Sequence, residues 1–187
     1  MNISYTFKKS AITKAQHFEL IEQGIVIRQE SNVDALIPYQ FIQSIRLCYS
    51  PVRYRENNYS CIIKYGSTTT KILSTSYESM ANFSNNADTY TPFVTQLVEK
   101  VKAINPSVKI HTGQTQTMFY GSIIFTFLMI ALLFAVFTLL PVSGSFSIFI
   151  KLALVAYYLF YLFKSFKVNK PKQITDTTLP QDILPSI

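Results

Sequence analysis

Cysteine, glycine and histidine are all scarce in this chain. Its two cysteines, Cys48 and Cys61, are too few for a disulfide-held scaffold, and we expect both to be reduced. The five glycines include no phosphate-binding loop and no dinucleotide-binding fingerprint. The only two histidines, His17 and His111, belong to no ligand pair. We therefore expect no catalytic residues, no metal site and no cofactor, and we predict that the protein is not an enzyme.

Charge is also scarce, and its distribution divides the chain. Charged residues make up 14% of the sequence, against roughly 25% in a typical soluble domain. Asp, Glu, Lys and Arg are all absent from Ile110 to Ile150, although they occur throughout the preceding sequence. One part of the chain therefore suits water and another suits lipid. We predict a soluble domain over residues 1–112, a membrane segment over residues 113–164 and a basic tail over residues 165–187.

The apolar segment is long enough for two membrane spans. Residues 118–140 form an apolar run which, at about 1.5 Å per residue, crosses a hydrocarbon core of about 30 Å. Pro141 and Gly144 then favour a turn. A second apolar run over residues 146–163 carries three tyrosines near its end, as is typical of the lipid boundary. The sequence predicts a two-helix transmembrane hairpin, and a buried helical hairpin of a soluble protein is the alternative.

Lysines on both sides of this segment predict its orientation. Three precede the first span and four follow the second, whereas the turn has none: Lys100, Lys102, Lys109, Lys164, Lys167, Lys170 and Lys172. The positive-inside rule then places both termini in the cytoplasm, in a multi-pass protein of the cytoplasmic (inner) membrane. Lys151 lies near the turn, where its side chain can reach the boundary; an ion or proton relay is the alternative.

The net charge of +7 does not by itself indicate nucleic-acid binding. A nucleic-acid site usually concentrates basic residues on one face, often beside stacking aromatics. Here the basic residues are dispersed along the sequence, and the excess after residue 115 adjoins the apolar segment. We therefore expect the lipid bilayer as a partner and no nucleic acid. The first residues show no secretory signal pattern, which favours a cytoplasmic soluble domain.

Alternating apolar residues predict strands over most of residues 1–85. We expect turns at Gln23-Gly24 and at Gly66-Ser67, where glycine at the first central position favours a type II′ turn. Placing Leu47 opposite Cys61 keeps the apolar residues of both strands on the inner face, so Cys48 should point the other way.

A helix is predicted after the strands. Thr91 suits the N-cap, Pro92 suits the first helical position, and Asn105-Pro106 ends the pattern. Its apolar stripe comprises Phe93, Val94, Leu97, Val98, Val101 and Ile104. Such a stripe is more often core than a partner site, and we expect it to close the open end of a curved sheet.

About seven short strands followed by one helix is the order of pleckstrin-homology-like (PH-like) domains. Residues 18–31 and 36–45 resemble the start of bacterial PH domains, in which a strand turns at a polar-Gly pair. The whole chain is similar to bacterial membrane proteins that join such a domain to two spans, and residues 178–185 resemble their ending. The resemblance implies an α+β fold: a curved antiparallel sheet or barrel of about seven strands, capped by a C-terminal helix and followed by the transmembrane hairpin.

Two basic groups are candidates for lipid headgroup or partner contact. Lys8, Lys9 and Lys14 surround the first strand and its connection to the second, which resembles the position of phosphoinositide-binding residues in eukaryotic PH domains. The basic cluster that follows in that pattern is replaced here by residues 15–17, so a general attraction to anionic lipid is the expectation. Arg53 and Arg55 could hold a phosphate or a partner carboxylate. For both groups, a solvated surface is the alternative.

These patterns favour a noncatalytic PH-like module, tethered to the cytoplasmic face of the membrane, that recruits or senses a protein or a lipid. An accessory subunit of a membrane transport or envelope-assembly complex, packed on a membrane protein partner, is the second reading. A membrane-bound enzyme is the third. The apolar residues of the tail could pack on the soluble domain, dock a partner or remain disordered.

Overall fold

The computed structural model describes residues 3–29, 32–50, 58–80, 82–139, 155–156, 166–174, 179–180 and 183–185. The chain forms two compact units. The first consists of Met1–Gly113 together with Lys172–Ile187, and the second of Gln114–Pro171. The C-terminal residues therefore group with the N-terminal domain.

The first unit is α+β. Its strands are β1 (Ile3–Phe7), β2 (Gln16–Leu20), β3 (Gly24–Gln29), β4 (Asn32–Pro38), β5 (Ile42–Ser50), β6 (Asn58–Tyr65), β7 (Thr68–Leu73), β8 (Thr75–Ser79), β9 (Asn82–Asn85), β10 (Lys109–Thr112) and β11 (Lys172–Ile174). A 3-10 turn, Tyr39–Phe41, precedes β5, and helix α1 (Ala87–Ile104) precedes β10. The second unit contains helix α2 (Gln116–Leu139).

Strands β1 to β4 form an antiparallel sheet in chain order. The predicted turn at Gln23-Gly24 is confirmed: β2 ends at Leu20, β3 begins at Gly24, and the Ile21 amide donates to the Gly24 carbonyl at 3.0 Å. Gly24 pairs with Pro38 across the sheet. A Cβ atom at residue 24 would lie 2.3 Å from the carbonyl oxygen of Ile37, so only glycine lets β4 approach this closely.

Replacing Gly24 with alanine should therefore destabilise the first unit by about 1–3 kcal/mol, because backbone must move to admit the methyl group. The midpoint of urea unfolding of the full chain in detergent measures this. Gly121→Ala is the matched control, since a Cβ there meets nothing within 4 Å. An unfolding midpoint equal to that of the control would contradict the close approach at Gly24.

The second sheet has five strands in the order β11-β10-β5-β6-β7. The predicted register is confirmed, because Leu47 pairs with Cys61. The β6–β7 turn is also where it was expected, with Gly66 at φ +53°, the left-handed region that both primed hairpin turns require there. Strand β10 adds to β5 in parallel and β11 adds to β10 antiparallel. A separate hairpin is formed by β8 and β9.

Helix α1 begins earlier than its sequence indicated. Its first residue is Ala87 and Asn86 is the N-cap, so the predicted N-cap at Thr91 is wrong and Pro92 lies inside the helix. The Asn85 side-chain oxygen accepts from the Ala87 amide at 3.0 Å and so satisfies one of the free donors of the first turn. The apolar stripe is buried as predicted, except that Ile104 is 50% exposed.

The core of the first unit lies between α1 and the inner faces of the sheets. Tyr5 connects these layers: its ring lies 5.6 Å from that of Phe93 and 5.7 Å from that of Tyr90, measured between centroids. Its hydroxyl donates to the Leu73 carbonyl, which satisfies a buried polar group. Burial raises the pKa of Tyr5, and it raises that of Tyr39 to about 12, so both phenols stay protonated.

The strand prediction was incomplete. The described residues hold eleven strands in three sheets, rather than about seven in one curved sheet or barrel, and these strands do not close into a barrel. The sequence indicated β1 to β7. The additional strands are short and largely polar, so local periodicity did not reveal them. Strands β10 and β11 are also separated in the sequence by the whole second unit.

Candidate functional site

The connection between β1 and β2 carries the three lysines singled out in the sequence. A small turn shapes it: the Ser10 amide donates to Thr13 Oγ1 at 2.9 Å, and that hydroxyl donates to the Ser10 carbonyl at 3.1 Å. Lys9 and Lys14 are exposed on either side of this turn. Ile12 lies within the turn and is 96% exposed.

Lys8 is half-buried and fixes this connection to β8. Its amide donates to Ser76 Oγ at 2.9 Å, and its carbonyl accepts from the Tyr77 amide at 2.8 Å. Its Nζ lies 5.7 Å from the centre of the Tyr77 ring, within cation–π range. Lys8 is therefore partly structural, whereas Lys9 and Lys14 are available to a partner.

Strand β8 of the neighbouring hairpin runs alongside β1. Asn86 joins β1 to the start of β8, because its amide donates to the Ser74 carbonyl at 2.9 Å and its side chain to the Thr6 carbonyl at 3.5 Å. Thr6 is thus linked through Asn86 to Ser74, whereas Lys8 contacts Ser76 and Tyr77, so β1 and β8 run in the same direction.

The residues that follow these two strands therefore project beyond the same end of the unit. Met80, directly after β8, is 93% exposed, much as Ile12 is. The group comprising Lys8, Lys9, Ile12, Lys14 and Met80 is called the basic loop end below. One acidic residue lies beside Met80: Glu78, which accepts from the Asn82 side chain at 2.9 Å.

The start of β8 lies at the same end of the five-stranded sheet as the point where the chain leaves the first unit. The Ser74 amide donates to the Tyr59 carbonyl at 2.8 Å, and Tyr59 pairs with Tyr49 near the end of β5. The Gly113 amide donates to the Leu47 carbonyl at 2.8 Å, two residues before Tyr49. Gly113 is the last residue of the first unit before α2.

Arg53 and Arg55 lie outside the described residues. Ser50 and Asn58, which flank their loop, pair at this same end of the five-stranded sheet. The structure thus brings Lys8, Lys9 and Lys14 together on one loop, and it leaves the two arginines undescribed.

Among the potentially reactive groups of the first unit are the histidine and cysteine side chains of His17, Cys48 and Cys61. His17 Nδ1 lies 2.7 Å from Thr6 Oγ1, and both cysteines are free. Burial raises the pKa of the Cys48 and Cys61 thiols, which keeps them protonated at neutral pH. Within the described part of the chain, no three residues of the metal-ligating types His, Cys, Asp or Glu come together.

Helix α2 is long and apolar enough to cross a membrane. Its stretch Gln116–Leu133 has a mean hydropathy of 1.8 and only 6% of its residues are buried. The hydroxyls of Ser122 and Thr126 donate to the carbonyls of Phe119 and Ser122, so neither hydroxyl is left unpaired. It is the one such helix among the described residues. The predicted second span, residues 146–163, and Lys151 lie outside them apart from residues 155–156.

From Lys172 onwards, the described residues of the tail belong to the first unit. Strand β11 pairs with β10, with Ile174 opposite Ile110 and Lys172 opposite Thr112. Further along, Ile183 is 3% exposed, and Pro185 accepts a hydrogen bond at 3.3 Å from the Thr91 hydroxyl on α1. Of the three fates considered for the tail, the structure shows packing on the domain.

Comparison with models of protein families, with curated proteins and with solved structures gave no match. The function therefore has to be argued from the geometry of this chain. Sequence reasoning found the lysines of the basic loop end and missed Ile12 and Met80, whose only signal was an isolated apolar residue in a polar stretch.

Proposed function

We propose that the protein is a noncatalytic, PH-like module tethered to the cytoplasmic face of a bacterial membrane, where it recruits or senses a protein or a lipid. The second unit supplies the tether as a transmembrane hairpin. The first unit supplies the binding surface, and the basic loop end is its contact with anionic lipid headgroups.

The pairing of β10 with β11 is the observation that carries this proposal. Gly113 follows β10 and Lys172 begins β11, so the chain leaves and re-enters the first unit on neighbouring strands. Both points therefore lie on the same side of any membrane that α2 enters. A chain that crosses once on the way out must cross again on the way back, which favours two spans over one.

The order of elements supports the PH-like part of the proposal. A four-stranded antiparallel sheet, a three-stranded meander and a helix packed on the core follow one another, as β1 to β4, β5 to β7 and α1. This is the order on which the sequence resemblance rested. Strands β8 to β11 are additions to that order.

The composition of the basic loop end supports a bilayer as its contact. Lysines attract an anionic leaflet with about 1 kcal/mol for each residue near its surface, and exposed apolar side chains can enter the interface. Lys9, Lys14, Ile12 and Met80 combine both properties on the basic loop end.

Site-directed labelling tests the tether. In a chain with Cys48→Ser and Cys61→Ala, single cysteines are placed at Lys14, Lys172 and Ser143 and treated with a membrane-impermeant maleimide on intact cells and on inverted vesicles. We expect residues 14 and 172 to label only on inverted vesicles and residue 143 only on cells. Labelling of 14 and 172 from opposite sides, or release of the chain by alkaline carbonate, would refute the proposed topology.

A further inference from the structure

The five-stranded sheet has an unusual charge composition. Strands β5, β6, β7, β10 and β11 contain no aspartate or glutamate. They contain five cationic residues and one histidine: Arg46, Lys64, Lys71, Lys109, Lys172 and His111. Strands β10 and β11 are far from β5 to β7 in the sequence, so the full concentration of basic residues becomes visible only once the sheet is assembled.

The register places five of these six residues on the outer face. Ile45, Leu47, Cys61, Ile63, Ile72 and Ile110 are all buried on the inner face. On the outer face, Lys109 pairs with Ser44 and Ser44 with Lys64, which forms one row. In the next row, His111 pairs with Arg46, Arg46 with Ile62 and Ile62 with Lys71. Arg46, Lys64, Lys71, Lys109 and His111 are called the basic face.

The rows bring like charges close together. Diagonal neighbours on adjacent strands lie about 7–8 Å apart, which is the relation of Lys64 to Lys71 and of Lys109 to Arg46. Lys64, Lys71 and Lys109 are exposed, and the Arg46 guanidinium donates to the Gly113 carbonyl at 3.3 Å. Water and salt screen their mutual repulsion, and an anionic partner would relieve what remains of it.

His111 reports the same electrostatic environment. Its pKa is lowered first by burial and then by the charges of Arg46 and Lys109. The imidazole is therefore neutral at neutral pH and does not add to the charge of the basic face. An anion bound beside it would raise this pKa, which gives a local readout of occupancy.

The side chains of the basic face distinguish between anionic partners. The outward-facing residues of these strands include no Phe, Tyr or Trp for stacking, which argues against single-stranded nucleic acid. None of the large apolar side chains that are prominently exposed lies on this face, in contrast to Ile12 and Met80 at the basic loop end. Beside the half-buried Ile62, the face offers cations and the hydroxyls of Ser44 and Thr69, which suits a predominantly hydrophilic, acidic surface.

We propose that the basic face docks an acidic segment of a partner protein. This deepens the proposed function and rests on it only in taking the unit to be a recruiting module. The basic loop end, which follows β1 and β8, then contacts the bilayer. The basic face, which lies on the five-stranded sheet, serves the soluble partner.

A fluorescein-labelled decaglutamate peptide is the probe, and fluorescence anisotropy measures its binding to the full chain in phosphatidylcholine nanodiscs. The variant Lys64→Gln, Lys71→Gln, Lys109→Gln should weaken binding about tenfold or more, because three charge contacts are lost. The matched control, Lys100→Gln, Lys102→Gln, Lys167→Gln, removes the same charge outside both basic surfaces and should change binding less than about twofold. NMR of the native chain should show a higher pKa for His111 with the peptide than without it.

Three results would overturn the inference. Equal weakening by the two triple variants would show attraction to net charge alone. An unchanged His111 pKa would place the peptide elsewhere. If the native chain bound the peptide in phosphatidylcholine nanodiscs but released it in phosphatidylglycerol nanodiscs, the basic face would be assigned to lipid. None of these results bears on the labelling of residues 14, 143 and 172, so the tether stands or falls separately.

Discussion

Truncation of Phe93 to alanine should cost the first unit about 3–5 kcal/mol of unfolding free energy. Phe93 is fully buried on α1, and its ring contacts that of Tyr5 on β1. The substitution removes the packing between the helix and the first sheet and leaves a cavity. Because domains of this size are stable by only about 5–15 kcal/mol, the loss should be a large share of the total. Urea-dependent pulse proteolysis of the full chain in detergent measures it.

Two controls separate the cavity from other effects. Phe93→Leu retains most of the apolar volume and should cost less than about 2 kcal/mol. Glu99→Ala lies on the exposed side of the same helix and should change stability by less than about 0.5 kcal/mol. If Phe93→Ala were no more destabilising than Glu99→Ala, α1 would not be the element that closes the core.

An arginine at Leu128 should strongly oppose insertion of α2. Leu128 lies at the middle of the helix and is 64% exposed, so an arginine there would meet lipid. At the centre of a span this exchange costs about 3–4 kcal/mol. The measurement is labelling of a single cysteine at Ser143, which should no longer react on intact cells.

Met118→Arg is the matched control for Leu128→Arg. It introduces the same charge in the first turn of α2, where the side chain can reach the membrane surface. Labelling at Ser143 should then match that of the unsubstituted helix. Equal labelling of the two arginine variants would argue that α2 does not cross a bilayer.

The strands β1 to β7 could be read from the sequence because each carries its own signal. Apolar and polar residues alternate within them, and glycines at 24 and 66 mark two of the turns. The pairing of Leu47 with Cys61 followed from the same alternation, since a shift by one residue would expose the apolar set. Such features depend on neighbouring residues and are therefore accessible without a structure.

The start of α1 and the last four strands could not be read in this way. Thr91-Pro92 has the sequence of a helix start, but tertiary packing of Ala87 and Tyr90, both buried, extends the helix backwards past it. Strands β8 and β9 are largely polar and support each other. Strand β11 has three residues, and in the sequence the whole second unit separates it from its partner β10.

The candidate site was accessible only in part. A run of lysines is visible in any sequence, so Lys8, Lys9 and Lys14 were found. Ile12 and Met80 were missed because their exposure is set by the packing of the folded chain and not by the neighbouring sequence. The basic face was invisible because register alone places Lys64, Lys71 and Lys109 on one surface. Spatial charge clustering is a property of the assembled sheet.

The pairing of β10 with β11 also has a consequence for biosynthesis. Translation proceeds from the N-terminus, so β10 leaves the ribosome with one edge unpaired and stays so until the whole apolar segment has been made. Only a nascent chain whose C-terminus comes back to the compartment of its N-terminus can supply the missing strand. Closure of this seam therefore has to await synthesis of β11, and on the proposed topology a chain inserted the wrong way round would keep an open sheet edge.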